Sequence, residues 1–258
     1  MSPGSNMDLH PSPGGAPLRR QVAAQASMET RLLLRNGEQL LLAVVIPVIA
    51  LVGGVLAADR VGLDFSRPAV DALTPGVLAL AVMSTSFTSL AIATGFERRY
   101  GVIKRLGSSP LPRHGLLLGK ICALLLVEVL QVAVLSGVAL TLGWDPDPGW
   151  LAAGLAVVAG TAAFASLGLL LAGALRAEAT LAAANLIYVL LLVGGGVVLP
   201  TSTYGAAEHV IGWLPSGALG DAMRTALIDG RVDLAALAIL IGWAVVGSAL
   251  TARTFTWE

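Results

Sequence analysis

Charge is what this sequence has least of. Only 12% of its 258 residues are Asp, Glu, Lys or Arg, against roughly 25% in a soluble domain. The 16 basic and 16 acidic side chains cancel, so no overall field draws the chain to nucleic acid. Cysteine occurs once, as Cys122 inside an apolar run. An internal disulfide is excluded, and the residue reads as a small buried core side chain. The three histidines, His10, His114 and His209, are scattered, and no His-Glu-x-x-His pattern exists to hold zinc. No metal site, catalytic constellation or membrane protease can be built from them. Gly115-Leu116-Leu117-Leu118-Gly119-Lys120 only superficially suggests a phosphate loop. Three residues separate its glycines where four are needed, and Ile121 stands where Ser or Thr must follow. The chain is therefore expected to bind no nucleotide and no other cofactor. Met1 to Pro17 is rich in Ser, Pro and Gly without an apolar core, which predicts a disordered tail and no cleavable signal.

What remains is apolar. Hydrophobic residues make up 56% of the chain, and mean hydropathy is +0.82. The charges cluster, leaving uncharged runs long enough for the roughly 20-residue helix that crosses a bilayer. Lipid offers the backbone no hydrogen bonds, so such runs must be helical. The short alternating segments of a membrane barrel are not seen. The predicted fold is an all-α polytopic membrane protein. Six spans are predicted at 39–57, 74–94, 116–142, 151–175, 180–199 and 233–252, within one transmembrane domain over 18–258.

Leu18 to Glu38 mixes Arg19, Arg20, Arg31 and Arg35 with Val22, Met28, Leu32, Leu33 and Leu34. That pattern predicts an interfacial helix, apolar side in lipid and guanidiniums in water. Basic residues near span ends mark the cytoplasm. They gather in this segment, in the second connection (Arg98, Arg99, Lys104, Arg105, Arg113, Lys120), at Arg176 and at Arg253. The other side has only Arg60, Arg67, Arg224 and Arg231, and it carries most of the acids: Asp59, Asp64, Asp71, Asp145, Asp147, Glu208, Asp221, Asp229 and Asp233. Both termini are accordingly expected in the cytoplasm.

The second connection carries the most information. Phe96, Tyr100, Ile103 and Leu106 recur near one face at helical spacing, with basic residues around them. A short amphipathic helix at the cytoplasmic surface is predicted. Ser109 as N-cap and Pro110 at the first helical position would then start the helix of the third span.

Glu97-Arg98-x-x-Gly101-x-x-Lys104-Arg105-Leu106, then Pro110-Leu111, then Gly119-Lys120 entering a span, resembles the permease subunits of type-2 ATP-binding-cassette transporters. Arg99 and Val102 stand where such subunits often carry an acid and a threonine. A second match is Gly194-Gly195-Gly196 interrupting the fifth span, followed by Leu199-Pro200, Trp213-Leu214-Pro215 and Arg224. The resemblance implies short extracellular helices between spans five and six. It also implies that the second connection is a coupling helix docking on a separate ATPase subunit, which would bind the ATP and Mg. Phe96, Glu97, Arg98, Tyr100, Gly101, Ile103, Lys104, Arg105 and Leu106 would form that docking surface. Implied as well are a location in the bacterial plasma (inner) membrane, a pathway shared with a second permease copy or a paralogue, and export of a hydrophobic drug, lipid or glycolipid.

Polar residues inside spans pose a separate question. Glu128 lies on the third span about 12 Å along the helix from Lys120. Gln131, one turn on, could share a hydrogen bond with a protonated Glu128. Intramembrane carboxylates often serve a transport pathway, and interhelix hydrogen bonding is the structural alternative. Asn185 and Tyr188 on the fifth span carry the same two readings, pathway or subunit interface. Ser84 to Ser89 are expected to bond back to their own helix. With Glu128 as the titrating group, an ion-coupled secondary transporter or channel is the rival to the ATP-driven reading.

Overall fold

The computed structural model describes residues 16–35, 37–61, 67–107 and 112–254. The tail through residue 15 and the Ser109–Pro110 helix start lie outside them. All regular structure among the described residues is helical: α1 (Leu18–Arg35), α2 (Gly37–Val61), α3 (Ala69–Met83), a π-helical turn (Ser84–Ser89), α4 (Leu90–Arg99) and α5 (Val102–Gly107). Then follow α6 (Arg113–Thr141), α7 (Trp150–Ala174), α8 (Ala177–Gly194), a 3-10 turn (Thr201–Ala207), α9 (Glu208–Gly212), α10 (Pro215–Ile228) and α11 (Leu234–Thr254).

Five of these are long and apolar enough to cross a bilayer: Ala69–Arg99, Gly115–Thr141, Trp150–Ala174, Ala177–Gly194 and Leu234–Thr254. In α2 the apolar stretch Ala43–Ala58 is shorter. Two boundaries differ from expectation. The second span continues to Arg99, because Glu97, Arg98 and Arg99 find partners on neighbouring helices and need not leave the helical path. The fifth stops at Gly194, with Gly195 as its cap and Gly196 at φ +69°. A left-handed residue turns the chain out of the helix, and glycine adopts it without a Cβ clash.

Small residues set the packing. The buried face of α7 reads Ala152, Ala156, Gly160, Ala163, Gly168 and Ala172. With no bulk between backbones, α11 lies along it and α10 packs beside it, as membrane helices do when dispersion and shape hold them together. Larger side chains fill the centre, among them Leu78, Met83, Leu135, Phe164, Leu219 and Leu240. The Phe87 and Phe164 rings meet edge to face at 6.3 Å, a favoured aromatic geometry. Cys122, expected in the core, is exposed on α6. It shares the outer surface of that helix with Leu118 and Leu126, a surface that suits lipid.

The burial of α1 follows its polar residues. Gln25, Ala26 and Glu29 are covered where α1 packs on α6, while Met28 and Leu32 are exposed. An added Cβ at Gly119 would stand 2.6 Å from Gln25 Cγ and 2.9 Å from its Cβ, so that glycine sets the α1–α6 distance. Gly119→Val is expected to push α1 away and lower stability by about 1–3 kcal/mol. Thermal unfolding of the solubilised chain measures this, and an unchanged midpoint would refute it.

Candidate functional site

Three consecutive residues at the end of α4 reach three different neighbours. Glu97 Oε1 accepts from Lys120 Nζ of α6 at 2.8 Å. The same ammonium donates at 2.8 Å to Glu29 Oε1 of α1, which also receives Gln25 Nε2 at 2.9 Å. Lys120 is only 5% exposed. Desolvating an isolated ammonium is prohibitive, and two carboxylates in direct contact are what make this position tenable. Arg98 donates to the carbonyls of Ala172 and, at 3.0 Å, Gly173. Those are orphan acceptors at the C-terminus of α7, where a cation also suits the helix dipole. Arg99 pairs with Glu178 in the first turn of α8, an exposed contact that orients more than it stabilises.

The chain then turns. Tyr100 caps α4, its N–H bonded to Phe96 O at 2.9 Å, and Gly101 takes φ +68° before α5 begins at Val102. The apolar stripe predicted on one continuous helix is therefore split. Phe96 and Tyr100 stay together, rings stacked at 6.1 Å, and Tyr100 is 65% exposed. Ile103 faces inward at 3% exposure. Lys104 and Arg105 are exposed and Leu106 is half-buried. The predicted surface thus divides into an outward part (Tyr100, Lys104, Arg105), a root in the protein (Ile103) and two linking residues (Glu97, Arg98), to which the structure adds Arg99. Beside them, a cleft of about 490 Å³ is bordered by Gly95, Arg98, Arg99, Arg176 and Glu178.

Glu128 and Gln131 do not bond to each other as expected. They sit on adjacent flanks of α6 and face different helices. Glu128 is fully buried, and its Oε2 lies 2.6 Å from Thr161 Oγ1 of α7, within hydrogen-bonding distance. Thr161 also lies 2.8 Å from Val157 O, yet a hydroxyl has one hydrogen. Both contacts are met at once when the carboxyl carries a proton and donates it to Thr161. Gln131 bonds instead to Thr85 Oγ1 at 2.8 Å and to Ala43 O at 2.9 Å. It thereby ties α2 and the π turn to α6. Such turns free side chains to reach sideways: Thr85 does so, while Ser86 bonds back to Val82 O as expected. Tyr188 on α8 is half-buried against Ser84 of that turn. Asn185 is exposed and bonded to Leu181 O of its own helix.

At the opposite end Arg224 of α10 gathers the glycine-rich segment after α8. It donates to Gly196 O at 3.2 Å, Val197 O at 2.8 Å and Val198 O at 2.7 Å, and it bonds Asp221 at 3.1 Å. Thr201 donates to Asp221 at 2.8 Å. Burial lifts the Asp221 carboxyl above its ordinary range, against the pull of the Thr201 hydroxyl and the guanidinium. The carbonyls uncovered where α8 breaks are thus taken up by one forked side chain.

Sequence reasoning overlooked Glu29, Gln25 and Thr161. One signal was available for Glu29: Lys120, placed inside an apolar run, needed an acid, and the lead-in segment supplies one flanked by Met28 and Thr30. Lys120→Met is expected to lower stability by about 3–5 kcal/mol, since it strands two covered carboxylates. Adding Glu29→Gln and Glu97→Gln is expected to recover most of the loss. Unfolding midpoints of the single and triple variants decide this, and a single variant as stable as the parent would overturn it.

Residues 20–227 match the family described as ABC-2 type transporter. A Bacillus subtilis (strain 168) protein named "Putative transport permease YvfS" is 27% identical over 167 residues, covering 63% of this chain and 68% of that protein. The family match over residues 20–227 takes in the α4–α5 junction, the α1–α6 ion pairs and the Arg224 clasp. With the apolar helices it describes a multi-pass, non-catalytic membrane subunit whose relatives in general work with ABC ATPases and as dimers. The chain belongs to the ABC-2 type transporter family of membrane permeases.

Proposed function

We propose that this chain is a six-span permease subunit of an ATP-driven exporter in a bacterial inner membrane, with both termini and α5 in the cytoplasm. Two permease subunits, identical or paralogous, form the pathway, and separate ATPase subunits carrying ATP and Mg dock on the α4–α5 junction. The observation that carries the reading is the junction itself. Its outward residues Tyr100, Lys104 and Arg105 offer an aromatic anchor and positive charge, the chemistry of an interface hot spot with electrostatic pairing. Its linking residues join α4 to α1, α6, α7 and α8. A push on α5 is therefore shared among several spans moving as near-rigid bodies. The energy comes from the greater affinity of ATP for the closed ATPase pair.

The outer face of α8 supports a second subunit. Leu181, Leu186, Val189, Leu190 and Val193 are exposed there, with Asn185 among them. An amide on an apolar membrane face is suited to bonding across a helix interface. The apolar spans suit a hydrophobic drug, lipid or glycolipid as cargo.

Tyr100→Ala combined with Lys104→Glu is expected to weaken ATPase binding at least about ten-fold, the effect of some 1.4 kcal/mol. The unfolding midpoint should stay the same, because both side chains are exposed. Co-purification of the ATPase and transport in vesicles are the readouts. A double variant that retains its ATPase and transports normally rules out this docking surface.

Ion-coupled transport through Glu128 is the second reading. The observation in its favour is a fully buried carboxyl whose Oε1 has no hydrogen-bond partner. Glu128→Gln separates the two. The ATP-driven reading expects export retained in the variant, abolished by ATP depletion and indifferent to uncouplers. Export lost in the variant and dissipated by uncouplers would establish the ion-coupled mechanism instead.

A further inference from the structure

Beneath α5, between the ends of α4, α6, α7 and α11, lies a cavity of about 300 Å³ that neither reading uses. Leu116 and Leu117 of α6, Leu169 of α7 and Ile103 of α5 form its apolar walls. Thr94 of α4 lines it as well. Thr94 is 1% exposed, and its Oγ1 has no hydrogen-bond partner. Buried hydroxyls are nearly always bonded, and a helical threonine can usually reach a carbonyl of its own preceding turn. Of the other hydroxyls on the lining, Ser166 donates to Ala163 O at 2.7 Å and Thr251 to Ser166 O at 3.1 Å, and Ser248 is exposed. An apolar chamber with one buried and unpartnered polar group is the usual composition of a small-molecule site.

We propose that this cavity binds a small neutral amphiphile from the bilayer, an apolar body carrying one hydroxyl or carbonyl oxygen that accepts from Thr94. Three observations select that occupant. The volume lies at the lower end of the range for small-molecule sites, too little for the chains and headgroup of a phospholipid. The charged lining residue, Lys120, already has its ammonium between Glu29 and Glu97, so an anionic group meets a cation that is spoken for. Ser248 and Ala252 of α11 line the cavity and are exposed, so its mouth opens on the outer side of an apolar helix long enough to span a bilayer. Ile103 is the only buried side chain among the described residues of α5. A molecule in the cavity therefore touches the root of α5 and ties it to α6 and α7.

The probe is an octanol bearing a photoreactive diazirine, applied to the full chain in phosphatidylcholine nanodiscs, with labelled peptides mapped by mass spectrometry. Saturable labelling of the α4, α6 and α7 segments around Thr94, Leu116 and Leu169, displaced by unlabelled 1-octanol, is the expected result. Thr94→Val keeps the volume and removes the hydroxyl, and it should weaken labelling about three- to ten-fold, as for one lost hydrogen bond. Leu169→Trp fills the chamber and should abolish labelling. Unfolding midpoints identify any variant that has lost its fold, and Thr94→Val decides the matter if Leu169→Trp has. Labelling that does not saturate, or that is unchanged in Thr94→Val, overturns the proposal. Labelling of the same residues by a phosphatidylcholine with a diazirine in its acyl chain, not displaced by octanol, overturns it in favour of a lipid.

Discussion

One buried ammonium organises an entire end of this protein. Lys120 sits inside the third span, where an uncompensated charge would lose several kcal/mol of hydration even after relaxation. It is held by Glu97 from α4 and Glu29 from α1, each at 2.8 Å. The requirement dictates geometry: α4 must continue far enough to bring Glu97 level with Lys120. It also sets how α1 meets the bundle. Unlike an interfacial helix that buries its apolar side, α1 turns Gln25 and Glu29 inward and leaves Met28 and Leu32 outside. Gly119, one residue before the lysine, lets the two helices approach closely enough for the pair to form.

Once α4 has been extended by Glu97, Arg98 and Arg99 follow into reach of α7 and α8. The three contacts differ in strength. The Lys120 pairs are covered and costly to break. The Arg98 bonds satisfy helix-end carbonyls that would otherwise lack partners. The Arg99–Glu178 pair is exposed, with half or more of each side chain in contact with solvent, and contributes little. Movement at this junction would therefore slip first against α8 and last against α6. The far end is built on another principle. There Arg224 collects backbone carbonyls released by the glycine run, so one end is pinned by opposite charges and the other by a cation on backbone oxygens.

Five spans were legible because lipid imposes a requirement that composition expresses directly. Long runs without charge must be helices, and the helices stand where the runs were. The break at Gly194–Gly196 was legible too, since glycine acts locally. What sequence could not supply was which polar group meets which. Glu128 and Gln131 are neighbours in sequence and look like partners, yet the first bonds to α7 and the second to α2 and the π turn. A difference of three residues rotates a side chain by roughly 60° around the helix, enough to change the helix it faces. The stripe Phe96, Tyr100, Ile103, Leu106 fails for a related reason. Its spacing presumes one continuous helix, and Gly101 interrupts it.

That interruption bears directly on how the proposed coupling would operate. On one straight helix, Tyr100 and Ile103 would face the same partner and α5 would be a passive ridge. With Gly101 in a left-handed conformation, Tyr100 remains fixed to the end of α4 by its stacking on Phe96, while α5 is a separate piece rooted by Ile103. A force on Tyr100 then acts on α4 and, through Glu97, on α1 and α6. A force on Lys104 or Arg105 acts first on α5, and it reaches the spans through the contacts of Ile103 beside the cavity. These are two routes of different stiffness, one through ion pairs and one through apolar packing around a void. Softness in the second route follows from its loose packing, because a void leaves its lining without partner atoms on one side. The cavity therefore lies where filling it would stiffen the weaker of the two routes from the junction to the spans.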